Sequence, residues 1–332
     1  MPPPDPILLS FAQTLPKTET HLHLEGALPL ELLRRVRPEF AEPPPSWAHN
    51  FKFRDFAHFE KELLDMAFSW FTSPARYHEA AKVIFARLAA QNVKYVETSF
   101  ASGMIEFGEM NGREVLAAIH SAVPEGLEVR IFLGIHHNGA GPKMMPVLEE
   151  ALGWSELAGI DLHGFEDAPL EPWTAPYWEE ARQAGKYTKA HAGEFMGAAF
   201  IRRVLDELKP QRLEHGARAI EDRTLVAELK QRGIALDMCP ISNHKLMPGI
   251  SLANHPIRRL FDAGVKVTIS TDDPIAFGNR INDEYVALAE KGGFSRAELV
   301  QIARNGFEVA LMPEAQKQPW LEQLDPISRA GL

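Results

Sequence analysis

The sequence predicts an α/β protein built as a (β/α)8 TIM barrel with extra helices inserted after the first strand. Short apolar, β-branched runs alternate with longer helical patterns along the whole chain, which implies parallel strand–helix units. Eight such runs can be counted, the number that closes a barrel. The 332 residues suit one barrel of about 250 residues with insertions.

In order, the expected strands are Thr20–Leu24, Tyr95–Phe100, Val129–Ile135, Gly159–Leu162, Tyr187–Ala190, Arg212–Glu214, Ile234–Met238 and Val265–Ser270. Prolines crowd the first 45 residues. They mark a Pro-rich N-terminal arm at about 1–14 and an irregular loop at Pro38–Pro45, because proline fixes φ and removes a backbone donor. The stretch from Ala27 to Gln91 is too long for one crossover helix. It is expected to supply extra helices beside or over the barrel mouth, with Phe59, Leu63, Phe68, Trp70 and Phe71 as an apolar stripe that packs on the barrel or walls a substrate. One of these helices starts at the Ser73 cap and Pro74 and continues through Tyr77, Ala81, Ile84, Phe85 and Leu88. Later helices are expected over Phe200–Leu208, Asp222–Gln231 and Pro256–Ala263. No repeat or linker interrupts this alternation, so residues 1–332 read as a single domain.

Composition excludes several chemistries. One cysteine leaves no disulfide framework, no thiolate zinc cluster and no Pro-Cys-x-x-Cys deaminase site. The formal charge of -10 argues against a nucleic-acid backbone as partner, since phosphate binding needs a basic footprint. The first residues, Met-Pro-Pro-Pro-Asp-Pro, do not resemble a signal peptide, and no apolar run is long enough to span a membrane. A cytoplasmic location without a membrane partner is expected. Histidine is abundant at 13 residues, and the chemistry is expected to run through it.

Polar residues cluster where the strands end. His21 and His23 stand two apart at the close of the first strand, so both imidazoles point to one face, as two metal ligands require. The fifth strand leads into His191-Ala192-Gly193-Glu194, the sixth into Glu214-His215-Gly216 and the eighth into Asp272-Asp273-Pro274. Singly, His215 reads as a helix cap and Asp272-Asp273-Pro274 as a turn start. Together they fall on the rim where barrels of this kind carry active sites. Three histidines and one aspartate fit a zinc site with a position open to water. A nearby carboxylate, Glu194, could exchange protons with substrate, and an unligated histidine could orient or deprotonate the water. The chemistry is water attack on an electrophilic carbon.

These residues resemble the adenosine deaminase branch of the amidohydrolase superfamily. The matching segments are His-Leu-His-Leu-Glu-Gly (21–26), Gly-Ile-Asp-Leu-His-Gly (159–164), His-Ala-Gly-Glu (191–194), Glu-His-Gly (214–216), Cys-Pro-Ile-Ser-Asn (239–243) and Ser-Thr-Asp-Asp-Pro (270–274). They run in the family's order between Leu15 and Pro313. The resemblance implies that His21, His23, His191 and Asp272 ligate one zinc ion. It implies that Glu194 protonates a purine ring nitrogen and that His215 orients or deprotonates the zinc-bound water. It further implies that Asp273 and the Gly164 N–H bind the purine ring. Two-metal relatives often carry a bridging lysine or carboxylate at the end of strand three or four. Strand four here ends Asp161-Leu162-His163-Gly164-Phe165-Glu166 without a lysine, which favours one zinc.

The expected reaction is hydrolytic deamination of a 6-aminopurine to the 6-oxo purine and ammonia, with an adenosine-type nucleoside as first choice. Glu25 complicates that choice. Adenosine-specific members commonly have aspartate there, contacting the ribose 5′-hydroxyl. Pro240-Ile241-Ser242-Asn243 with Lys245-Leu246, and Asp272-Asp273-Pro274 with Phe277-Gly278 and Asn282-Asp283, look more like the adenine deaminase subgroup. Aminodeoxyfutalosine deaminases of menaquinone synthesis share the glutamate, and their anionic substrate would favour a cation such as His136, His137, Lys143 or Lys245. Without such a role, His136 and His137 read as an exposed loop pair and Lys245 as a surface charge. His163 reads as pocket lining or loop packing, and Cys239 as a small packed residue. An inactive nucleoside-binding barrel is the non-enzyme alternative. The oligomeric state is not legible in the sequence.

Overall fold

The computed structural model describes residues 5–137 and 143–330. Eight strands, β1 (Lys17–His23), β2 (Val93–Ala101), β3 (Glu128–His136), β4 (Leu157–His163), β5 (Tyr187–Ala192), β6 (Arg212–His215), β7 (Ala235–Met238) and β8 (Val267–Ile269), form one sheet in sequence order. Every neighbouring pair is parallel. β8 returns to β1 through the Leu22–Asp272 bridge. The Asp272 N–H donates to His21 O and the His23 N–H to Asp272 O, both at 3.1 Å. The result is a (β/α)8 barrel. All eight expected strands are present. β5 and β6 run further into the rim than the apolar runs suggested, and β7 and β8 are shorter.

Helices follow the strands as expected. Asp222 caps Arg223–Arg232, and the Ser73 side chain accepts from the Arg76 N–H at the start of Pro74–Ala90. Residues Pro6–Thr14 form a helix capped by Asp5, and Pro2, Pro3 and Pro4 lie outside the described residues. Pro38–Ala41 makes a 3-10 turn where an irregular loop was expected; proline's fixed φ suits the first position of such a turn. The insertion after β1 supplies helices Leu30–Val36, Phe56–Trp70 and Pro74–Ala90. Its apolar stripe divides: Phe59 and Leu63 face the mouth of the barrel, Trp70 and Phe71 sink into the core, and Phe68 packs on Phe107 with ring centroids 4.1 Å apart.

Below the rim the barrel interior holds buried charges instead of a wholly aliphatic fill. Lys189 pairs with Glu214 and lies 3.4 Å from Glu97. Arg212 pairs with Glu97, and its Nε is 3.5 Å from Asp237 Oδ2. The Lys189 ammonium also donates to Thr20 O at 3.0 Å. Each charge is compensated, as burial demands. This layer forms a polar floor beneath the strand-end residues.

Candidate active site

The alternation of β1 sends His21 and His23 to the barrel interior, as the two-residue spacing requires. The His21 Nδ1–H donates to Asp237 O at 3.1 Å, and Glu214 Oε2 stands 2.6 Å from the same nitrogen. His23 Nδ1 contacts Ser99 Oγ at 3.1 Å, and His191 Nδ1 lies 2.9 Å from Leu162 O. With their Nδ1 atoms held in the wall, all three imidazoles turn Nε2 inward. His23 Nε2 and His191 Nε2 are 3.2 Å apart. Asp272 Oδ1 is 3.4 Å from both His21 Nε2 and His23 Nε2, while its other oxygen accepts from Ser242 Oγ at 2.6 Å. One ligand atom from each of His21, His23, His191 and Asp272 lies within 4.8 Å of the others.

Glu194 and His215 adjoin this cluster. Glu194 Oε2 is 3.5 Å from His215 Nε2, and His215 Nε2 is 3.9 Å from Asp272 Oδ2. Burial, then the neighbouring Asp272 charge, drives the Glu194 pKa well above the usual carboxylate range. The same two causes raise Asp273. Burial pushes His215 well down, with His21 adding to the effect. His215 and Asp272 both adopt left-handed backbone, at φ 61° and 66°. That conformation costs about 1–3 kcal/mol at a non-glycine residue and clusters at functional sites. Here it re-aims the last side chain of β6 and the residue just beyond β8.

A cavity opens above the cluster. His23, His191, Glu194, His215, Asp272 and Asp273 form its polar end, and Phe56, Phe59, Leu63, Leu64, Ala67 and Met104 its apolar wall. No described lining residue is lysine or arginine. Gly164 and Glu25 also line it. A Cβ on Gly26 would stand 1.7 Å from Asp273 Oδ1, so only glycine lets that carboxyl reach the cavity. Asp273 Oδ1 has no hydrogen-bond partner among the described residues. His23, His191 and Asp272 of the expected metal set, Glu194 with His215, and the three expected substrate-binding positions therefore line one cavity, with His21 adjoining them.

The residues left open divide clearly. His136 and His163 both line the cavity, with ring centroids 4.4 Å apart. His137 is buried, its ring stacked on Phe200 at 5.8 Å. The loop reading of this pair is corrected: His136 ends β3 and is drawn inward with it. Lys245 is likewise no surface charge. It is buried, donates to Phe277 O at 2.7 Å and to Ser46 O, and faces away from the cavity. Cys239 is buried as expected, with Sγ 3.5 Å from His21 Nδ1.

Sequence reasoning gave no role to several supporting residues. Glu166 accepts the N–H groups of Glu194, Phe195 and Met196 at 3.0, 2.9 and 2.6 Å, fixing the turn after β5. Asn243 Nδ2 reaches Glu194 Oε1 and His215 Nδ1, both at 3.1 Å. Tyr77 donates to Glu25 at 2.6 Å. Glu166 lies in the loop just after β4 and Asn243 in the short helix Pro240–Leu246 that follows β7, which was the available signal; Tyr77 lies within the helix Pro74–Ala90 and gave none.

Residues 16–327 match the family model for adenosine deaminase. An adenine deaminase of Zymomonas mobilis is 33% identical, with 96% of this chain and 97% of that protein covered. One from Chlorobium luteolum is 30% identical, with 96% of each covered. Among solved structures, an adenine deaminase from Arthrobacter aurescens superposes with a TM-score of 0.85 at 23% identity, covering 95% of this chain and all of that one. A zinc-bound amidohydrolase from Burkholderia ambifaria superposes with a TM-score of 0.82 at 23% identity, covering 97% of this chain and 94% of that one.

Proposed function

The chain belongs to the adenosine deaminase family, and from that premise we propose that it is a zinc-dependent hydrolase converting free adenine to hypoxanthine and ammonia. The observation that carries the reaction type is the placement of Glu194 and His215 beside a three-histidine, one-aspartate cluster at the polar end of a cavity.

The donor set fits zinc. His21, His23, His191 and Asp272 would hold one ion, since they offer the nitrogen and oxygen donors that zinc takes. His21 Nε2 is buried with no hydrogen-bond partner among the described residues, an atom that a cation would satisfy. Bound zinc supplies Lewis acidity that makes water nucleophilic near neutral pH.

The protein's own groups divide the remaining work. Asp273 and the Gly164 N–H bind and orient the purine ring. Glu194, with Oε1 held by Asn243, offers Oε2 for proton exchange with the ring nitrogen next to the amine-bearing carbon. Protonation there makes the carbon electrophilic. Water oxygen adds to it as one water proton passes by way of Glu194 to the amine, the carbon–amine bond breaks, and ammonia leaves. His215 orients the water.

Free adenine is preferred to a nucleoside for two reasons. Glu25 lines the cavity, but its Oε1 is engaged by the Tyr77 hydroxyl and the Ala101 N–H, at 2.6 and 3.0 Å, so that oxygen is committed to the wall and not to a ribose. The facing wall is apolar apart from Glu60 and offers little to sugar hydroxyls. The lack of a lining cation among the described residues also weighs against nucleotides and the carboxylate of aminodeoxyfutalosine. The curated relatives named adenine deaminase support the same reading. Chromatography of adenine incubated with zinc-loaded protein tests it: hypoxanthine should appear and should vanish after chelation. Unchanged adenine would overturn it.

A further inference from the structure

We propose that His255 and Asn243 are positioning residues that fix His215 with its proton on Nε2, so that His215 enters the reaction as a hydrogen-bond donor and not as the base that deprotonates water. This rests on the deaminase reading for its chemical meaning. The hydrogen-bond relay itself is independent of it.

The relay begins at a group whose polarity is unambiguous. The Ile257 backbone N–H donates to His255 Nδ1 at 3.1 Å, so Nδ1 carries a lone pair and His255 is neutral with its proton on Nε2. His255 Nε2 lies 3.2 Å from Asn243 Oδ1, and only the oxygen of the amide can accept there. The Asn243 amide is thereby oriented, with Nδ2 turned toward the site. Its two hydrogens have two acceptors, Glu194 Oε1 and His215 Nδ1, each at 3.1 Å. His215 Nδ1 therefore accepts, and neutral His215 presents Nε2–H to the cavity.

All four side chains are buried, so water does not compete for these bonds. Burial also holds His255 down at a pKa of about 3, consistent with the neutral form that the Ile257 contact requires. The relay couples the acid–base pair: one amide sets the tautomer of His215 and anchors one oxygen of Glu194. A hydrogen-bonded proton on Nε2 leaves no lone pair to receive another. With His215 unable to accept it, the proton lost by the attacking water is assigned to Glu194, whose Oε2 lies 3.5 Å from His215 Nε2 and which returns it to the departing amine.

Nitrogen-15 histidine spectra of the zinc-loaded protein test the assignment. His215 should show a bare Nδ1 and a protonated Nε2; a protonated Nδ1 would overturn it. Kinetics give a second test. His255→Leu removes the donor to Asn243 and should lower kcat for adenine about 10–100-fold, with KM and zinc content unchanged. His255→Gln keeps an N–H donor and should restore most of that loss. Full kcat in His255→Leu would contradict the relay. Because the tautomer is read without substrate, an inactive protein with the stated spectrum would count against the deaminase reading alone.

Discussion

The Tyr77 hydroxyl donates to Glu25 Oε1 at 2.6 Å, tying the helix inserted after β1 to the loop that closes that strand. Both residues are buried, and the same Glu25 oxygen accepts the Ala101 N–H at the end of β2. The bond thus joins the wall of the cavity to two adjacent strands. Tyr77→Phe should destabilise the protein by about 1–3 kcal/mol, the cost of leaving a buried acceptor short of a donor, measurable by denaturant unfolding. Glu25→Asp withdraws the carboxylate by one methylene. It should raise the adenosine-to-adenine ratio of kcat/KM at least tenfold.

Glu194→Gln keeps the size of the side chain and removes its capacity to exchange a proton. Turnover of adenine should fall about 10²–10⁴-fold, with zinc content unchanged by elemental analysis. Retention of full activity would exclude Glu194 as the proton carrier.

Asp272→Ala should reduce zinc retention after dialysis against a chelator. Wild-type protein should carry about one zinc per chain, and its removal should lower the unfolding temperature, because an ion bound only by the folded state stabilises it. Unchanged zinc affinity in the variant would exclude Asp272 as a ligand.

Lys17 gives a pH test away from the site. Burial, with Lys94 adding to it, lowers its pKa to about 7, and its ammonium donates to Gln91 O at 2.6 Å. Between pH 7 and about 10 the unfolded chain binds a proton there that the folded chain largely does not. This group's contribution to stability therefore rises with pH across that window. Lys17→Met should be more stable than wild type at pH 7 by roughly 1–3 kcal/mol after loss of the Gln91 contact. The difference should shrink toward pH 10. A difference that does not change with pH would refute the shift.

Much of the site was legible because strand-end position is a local property. His21, His23, His191, Glu194, His215, Asp272 and Asp273 lie at or just past the ends of strands, and the barrel's closure brings those ends together. What the sequence could not display was pairing across long separations. Asn243 lies within a matching segment, yet its role depends on Glu194, His215 and His255, which approach it only after folding. Tyr77 looked like a core residue of an amphipathic helix, and it is one, with a hydroxyl directed at Glu25. Lys245 misled because a lysine near a helix end is ordinarily solvated; here two backbone carbonyls replace that water. The preference for a nucleoside came from the wider family resemblance and could not anticipate the Tyr77–Glu25 bond.

The zinc-loaded protein should deaminate adenine in preference to its nucleosides. Ammonia release measured side by side on adenine, adenosine, AMP and aminodeoxyfutalosine tests it most directly. kcat/KM should be highest on adenine, at least tenfold above adenosine, with little release from the two anionic compounds. A higher kcat/KM on adenosine or aminodeoxyfutalosine would contradict the substrate assignment, and no release from any of the four would contradict the reaction itself.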